Sequence, residues 1–165
     1  KVRIALASGD ELTADLVISA IGLKPNTELA AAAKIEVNRG IVCDRTLQTS
    51  EPDIYAIGDC AEVDGFVLLY VLPLMAGARA LAQSLNANIT QVSYGVMPVV
   101  VKTPVCPVVV LPPPTSEGTW STESDGFSST SLNKASDGSL LGFALTGDAI
   151  SQKQALSKQV KGLHT

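Results

Sequence analysis

The sequence predicts an α/β unit followed by a small α+β module, with the change of character near Gln91. Short β-branched runs alternate with helical spacing up to about residue 88, Pro-interrupted strands and Ser-Asp-Gly turns follow, and a capped stretch with one apolar stripe closes the chain. With 165 residues, 46% of them apolar, and a mean hydropathy of +0.28, the chain can bury one good core or two small ones without disulfides.

Lys1 to Leu6 alternates polar and apolar residues, Ala7 to Glu11 supplies a Ser-Gly-Asp turn, and Ala14 to Ile21 is a second, β-branched apolar run. These predict a strand pair. An isolated pair is only marginally stable, so a larger sheet is expected around it. In Gly22 to Thr27, Pro25 pushes Lys24 towards extended geometry and Thr27 can cap a helix over Glu28 to Lys34. Ile35 to Asp44 reads as two strands around Asn38-Arg39-Gly40, and Asp53 to Ile57 as a short, fully buried strand ending at Gly58-Asp59. Pro73 then marks a helix start, with Leu74, Ala78, Leu81, Ala82 and Leu85 at helical spacing.

Beyond Gln91, Val96 to Lys102 and Val105 to Leu111 read as Pro-interrupted strands, and Pro112 to Pro114 as a stiff stop. Trp120 to Ser124, Phe127 to Leu132 and Leu140 to Leu145 are three further strands. Ser-Asp-Gly turns at 124–126 and 136–138 join them, which predicts a meander. Asp148 can cap a final helix through Val160, with Ala149, Leu156, Val160 and Leu163 on one stripe and Lys153, Lys158 and Lys161 off it.

Composition excludes several function classes. A net charge of -4 and a pI near 4.9 argue against a nucleic-acid partner, which needs clustered Lys and Arg to neutralise phosphates. The excess negative charge lies entirely in residues 1–90. Pro98, Lys102, Pro104 and Pro107 interrupt the longest apolar runs, so none approaches the ~20 residues of a membrane span. The N-terminal residues lack a signal-peptide pattern, and a cytoplasmic location is expected. Cys43, Cys60 and Cys106 are widely spaced with no Cys-x-x-Cys pair, which reads as three reduced thiols and no metal site. His164, the only histidine, has no acid-base partner in the sequence, and no catalytic triad is present.

The stretch TSEPDIYAIGD, Thr49 to Asp59, ends an apolar strand in Gly-Asp. There a Gly lets backbone approach a ligand and a carboxylate can accept hydrogen bonds from a sugar. Taken alone, Gly58-Asp59 also reads as a strand-terminating turn. All eleven positions resemble the second FAD-binding motif of the two-dinucleotide-binding-domain flavoproteins. VISAIGLKPNT, Val17 to Thr27, resembles the stretch by which such enzymes leave the nicotinamide domain and re-enter the flavin domain. Val71-Leu72-Pro73-Leu74, with Ala76 to Ala80, opens the next helix. In that family its free N–H groups face the pyrimidine edge of the flavin, although an ordinary amphipathic helix start fits the residues equally. YGVMPVVVKTPVCPVVVLPPP at 94–114, GTW at 118–120 and LLGFALTG at 140–147 closely resemble the C-terminal domain of bacterial rubredoxin reductases.

This resemblance implies the end of a two-dinucleotide-binding-domain fold: residues 1–22 as the last strands of the NAD-binding domain, 23–90 as the C-terminal part of the FAD-binding domain, and 91–165 as the β-rich module. It implies that NADH delivers a hydride to FAD and that rubredoxin then takes single electrons. Gly58, Asp59, Val71 and Leu72 would hold the flavin, and Lys102 would lie near its ring, although an edge-strand Lys deterring aggregation also fits. The two G-x-G-x-x-G turns that the family needs for FAD and NAD pyrophosphates do not occur, so the chain is expected to be a fragment, inactive alone, with those segments upstream. Two alternatives stay open: another acceptor (flavorubredoxin, ferredoxin or a small disulfide), or a non-catalytic docking or dimerisation module using the lysines of the final helix. An exposed flavin cleft and open sheet edges leave room for a homodimer.

Overall fold

The computed structural model describes residues 1–163, built around two apolar cores; His164 lies outside the described residues. β1 (Val2–Ala5) and β2 (Glu11–Ala14) pair antiparallel from Val2 opposite Ala14 to Ala5 opposite Glu11. Their turn closes through Leu6 N–H to Asp10 O (2.9 Å) and Ser8 Oγ to Asp10 Oδ2 (2.8 Å). The second strand therefore precedes the apolar run expected to form it. Leu16, Ile18 and Ile21 instead stand 75, 78 and 95% exposed, because no neighbouring strand among the described residues receives them.

α1 (Glu28–Ala32) is shorter than expected, since Lys34 turns left-handed at φ 63° and ends it. Thr27 occupies the N-cap position without a side-chain bond; Asn26 Oδ1 accepts the Glu28 N–H instead, at 3.4 Å. β3 (Ile41–Cys43) runs parallel to β4 (Ala61–Val63), with Ile41 opposite Ala61 and Cys43 opposite Val63. Before β3, only a bridge from Val37 to Ile41 remains of the expected strand pair. The strand expected at 53–57 is likewise reduced to one bridge, Gln48 to Tyr55. Asp53 breaks the extension with a left-handed φ of 63°, Ile54 is exposed, and Ala56 alone is buried.

α2 (Val71–Leu85) starts two residues before Pro73, which sits in the first turn where its missing N–H costs nothing. Its buried face is Pro73, Gly77 and Ala80, with Ala76 and Leu81 packed beside them; Leu74 and Leu85 point outward. Small residues let the helix approach closely: a Cβ on Gly77 would already touch Leu47 at 3.4 Å and Ile57 at 3.5 Å. The first core gathers Cys43, Leu47, Ala56, Ala61, Val63, Ala80, Val92 and Tyr94.

The second core lies under five antiparallel strands: β5 (Val99–Val101), β6 (Val108–Leu111), β7 (Thr119–Asp125), β8 (Ser128–Lys134) and β9 (Leu140–Thr146). Their spatial order is β5-β6-β9-β8-β7. The expected meander is β7-β8-β9, and β6 covers the other side of β9, with Leu111 opposite Phe143 and Val108 opposite Thr146. β9 is thus central, and its Phe143 and Leu145 are fully buried with Val109, Leu111, Leu140, Ala149 and Leu156. Only glycine fits at 142, since a Cβ there would sit 2.6 Å from Leu111 O and 2.7 Å from Pro113 N.

Among the described residues, one polar side chain is buried in this module. With its amide turned to suit both partners, Asn133 accepts from Trp120 Nε1 (3.1 Å) and donates to Glu117 O (3.2 Å). The closing helix is split: a 3₁₀ turn over Gly147–Gln152 leads into α3 (Lys153–Ser157). Asp148 lies inside the 3₁₀ turn and its side chain caps nothing; its N–H donates to Ser128 Oγ at 3.0 Å. The expected stripe still packs, with Ala149, Leu156 and Val160 on the second core and Leu163 on the first. No helix among the described residues is long and apolar enough to cross a membrane.

Candidate functional site

Extended backbone at Ile57 (φ -144°) carries the chain out of the first core, and Gly58 reverses it at φ 81°. A side chain there would be strained by the backbone and would meet Leu74 Cδ1 at 3.2 Å. Gly58–Cys60 then forms a 3₁₀ turn that packs against the start of α2. This brings the turn that carries Asp59 onto the surface of α2 around Leu74, in the helix that opens with Val71 and Leu72.

The chemistry of that surface is open to a ligand. Asp59 is exposed, and its carboxylate makes no hydrogen bond or ion pair among the described residues. Tyr70, at the N-cap of α2, is extended and offers no side-chain bond, so the first-turn N–H groups keep their donors and the positive end of the helix dipole. Val71 and Leu72 add exposed apolar area, 67 and 50% exposed. A carboxylate acceptor on the turn, with free backbone donors and exposed apolar area on the helix it packs against, suits a ligand with sugar hydroxyls and a flat, polar-edged ring.

Lys102 follows β5, the edge of the five-stranded sheet, and is exposed. No hydrogen bond or ion pair links it to Asp59 or α2 among the described residues. Tyr70 lines an apolar cavity of about 160 Å³ with Leu68, Met97, Pro113, Leu141 and Val160, where the two cores meet. Burial pushes the hydroxyl pKa of Tyr70 up, and that of Tyr94 likewise, with nearby Cys43 and Asp64 adding to the rise.

Two side chains that hold the first unit together had no signal in the sequence. Glu62 is 4% exposed in β4, just after the Gly58–Cys60 turn, and accepts from Gly40 N–H (2.8 Å) and Asn38 Nδ2 (2.9 Å). Burial alone would raise its carboxyl; these hydrogen bonds, with Arg39 adding to them, outweigh it and hold the pKa below the usual carboxylate range. Arg45 ties β3 to the segment that leads into the second core, by hydrogen bonds to the Val92 carbonyl. An isolated Glu or Arg in a β-rich run reads as a solvated residue, and only the tertiary fold reveals its partners.

The thiols are held apart from this chemistry. Burial drives the Cys43 thiol up to about 11. Cys60, beside Asp59, donates to Ile57 O at 3.5 Å, and all three cysteines are free. Among the described residues, no group of three or more His, Cys, Asp and Glu side chains could hold a metal ion.

Comparison with known proteins places both halves. Residues 1–98 match the family model "Pyridine nucleotide-disulphide oxidoreductase", and residues 91–160 match "Rubredoxin binding C-terminal domain". The chain is 54% identical over 159 residues to the rubredoxin-NAD(+) reductase of Alcanivorax borkumensis, covering 96% of this chain and 42% of that protein. It is 48% identical over 164 residues to the enzyme of the same name from Acinetobacter baylyi, covering 97% and 41%. The chain thus spans about two fifths of the length of these relatives. In fold it is similar to a ferredoxin reductase from Rhodopseudomonas palustris (TM-score 0.80, 24% identity, 96% of this chain and 42% of that one). It is also similar to the NADH:rubredoxin oxidoreductase of Clostridium acetobutylicum (TM-score 0.70, 20% identity, 86% and 37%). With the family model covering more than half of its residues, and the Gly58–Asp59 turn set against a helix start as described, this chain belongs to the pyridine nucleotide-disulphide oxidoreductase family.

Proposed function

We propose that this chain supplies the second flavin-binding segment and the acceptor-docking module of an FAD-dependent NADH:rubredoxin oxidoreductase. The observation that carries the reading is the packing of the Gly58–Cys60 turn against the N-terminus of α2, followed in the chain by a segment matching a rubredoxin-binding domain. Residues 1–22, 23–90 and 91–165 are its NAD-domain, FAD-domain and docking portions. The first flavin segment and the nicotinamide site would come from residues outside this chain, and the chain alone is expected not to turn over.

The residues present fit FAD. The Asp59 carboxylate, which has no other partner among the described residues, would accept hydrogen bonds from the ribityl hydroxyls. Gly58 would let backbone come close beneath them. The α2 N-terminus would face the pyrimidine edge, where its N–H groups and dipole favour negative charge. Val71 and Leu72 would exclude water there, and the Lys102 cation would lie near the ring. When bound, FAD supplies the hydride acceptance and the single-electron release that no side chain here can perform. This chain's part is to bind, orient and set the electrostatics.

Three free thiols suit a reducing cytoplasm, and the open β5 and β7 edges leave room for a homodimer. The test is a flavin-loaded reductase containing this segment, assayed with rubredoxin, flavorubredoxin, ferredoxin and a small disulfide. Rubredoxin should give the highest kcat/KM, and Asp59→Ala should release flavin on gel filtration while the fold persists. Stoichiometric FAD in the Asp59→Ala protein, or a clear preference for another acceptor, overturns the reading.

A further inference from the structure

The five-stranded sheet ends in two loop tips that carry large apolar side chains with nothing packed on them. Val105, in the loop between β5 and β6, is 100% exposed, and Phe127, in the tight turn between β7 and β8, is 89% exposed. Asp125 pairs with Ser128, so Gly126 and Phe127 alone form that turn. Such turns favour Gly, Asn and Asp, so an exposed Phe there answers no demand of folding.

The two tips are fastened to one another. Cys106 Sγ reaches Phe127 O at 3.9 Å, and Thr146 Oγ1 donates to the same carbonyl at 2.8 Å. Gly147 N–H donates to Pro107 O at 3.0 Å, tying the end of β9 to the first loop. Thr103 Oγ1 donates to Cys106 O within that loop. Backbone held this way presents Val105 and Phe127 as a rigid pair, which lowers the ordering cost of association. Rigid apolar anchors of this kind, aromatic ones above all, dominate the energetics of protein interfaces.

We infer that Val105 and Phe127 are the anchors on which rubredoxin docks. Two observations select that occupant. Both residues lie inside the 91–160 segment that matches a rubredoxin-binding domain. Lys102, the residue proposed above to lie near the flavin ring, opens the same loop three positions before Val105, and an electron acceptor must sit close to its donor. This inference rests on the reading of the chain as part of a rubredoxin reductase. The charges near the tips are mixed: Lys102 opens the first loop, while Asp125 and Asp148 adjoin the turn at Gly126 and Phe127. Docking there is therefore apolar in character and only weakly dependent on salt.

The test uses a flavin-loaded reductase containing this segment, with Phe127→Ser, Val105→Ser and the double variant. Rubredoxin reduction and NADH-driven ferricyanide reduction are followed side by side, since ferricyanide needs no docking site. Each single variant should raise the rubredoxin KM about tenfold, the double variant further, with the kcat and the ferricyanide rate unchanged. An unaltered rubredoxin KM in all three variants overturns the inference. A switch from dimer to monomer with unaltered KM also overturns it and makes the tips a contact between copies. If the unsubstituted enzyme does not reduce rubredoxin at all, the functional reading itself fails, an outcome distinct from both.

Discussion

Arg45 and Val92 hold each other across the gap between β3 and the approach to the second core. Arg45 Nε and Nη2 donate to Val92 O at 3.3 and 3.1 Å, and Val92 N–H donates back to Arg45 O at 2.6 Å. Val92 is itself buried in the first core, so the clasp fixes where the chain departs toward the sheet. Arg45→Ala removes both side-chain donors from the Val92 carbonyl and should lower stability by about 1–3 kcal/mol in urea unfolding. Arg45→Lys, with one donor group in place of a fork, should fall between. Equal stability of all three proteins would refute the clasp.

Glu62 makes stability depend on pH. Its folded-state pKa is below the ordinary carboxylate value, so the unfolded chain binds the extra proton. The stabilisation is present in full above the unfolded value of about 4.3 and is lost as pH falls through the lower folded value. Glu62→Gln should be less stable than the parent at pH 7, because the Gly40 and Asn38 donors lose a charged acceptor, and the two should converge in acid. Urea midpoints from pH 7 down to 3 check this; a pH-independent gap contradicts it.

Gly142 has backbone where a side chain would go. A methyl there meets Leu111 O at 2.6 Å and Pro113 N at 2.7 Å, and neither can swing aside. Gly142→Ala should cost about 1–3 kcal/mol or more by forcing β6 from β9. Thermal unfolding measures it directly, and a neutral substitution would mean that the two strands yield more easily than their hydrogen bonding implies.

The lysines in and just after α3 serve as a control for the docking site: Lys153 lies in the helix, Lys158 at its C-cap and Lys161 beyond it. Lys153 is half-buried. Lys161 lies near Asp137, whose carboxyl is held low chiefly by Ser139 hydrogen bonds, with the Lys161 charge assisting. Reversing Lys153, Lys158 and Lys161 to Glu should change the rubredoxin KM less than about twofold, as rim charges do. A change larger than that of Phe127→Ser would move the docking face to this helix.

Cys43 should resist alkylation in the folded protein, since its thiol is buried and raised to about 11. Mass spectrometry after iodoacetamide treatment should find label on Cys60 and Cys106 first.

Much of this arrangement is legible in the residues. Ser-Asp-Gly spacing reads out the β7-β8-β9 meander because local turn chemistry sets it, and the Gly58-Asp59 signature falls at the turn beside α2. What fails is what depends on neighbours. Ala14 to Ile21 has the composition of a strand but no adjacent strand among the described residues. Asp53 to Ile57 has strand-like residues, yet the left-handed Asp53 ends their extension. In α2 Leu74 and Leu85 stay exposed while Pro73, Gly77 and Ala80 are buried, because close helix packing selects small side chains over greasy ones. The split before α3 had no warning, since the apolar stripe is nearly the same for a 3₁₀ turn followed by a helix as for one helix.

The placement of β9 at the centre of the sheet also sets the order in which the module can assemble. β7, β8 and β9 meet through tight turns and can zip together within microseconds, as hairpins do. β6 must wait: Leu111 finds Phe143 and Val108 finds Thr146 only by closing a loop that contains the whole of β7 and β8. Until then Phe143 and Leu145 lie on an unprotected strand edge. The last pairing to form is therefore the one that buries the core, and a newly made chain is most vulnerable to sticking to its neighbours just before β6 arrives.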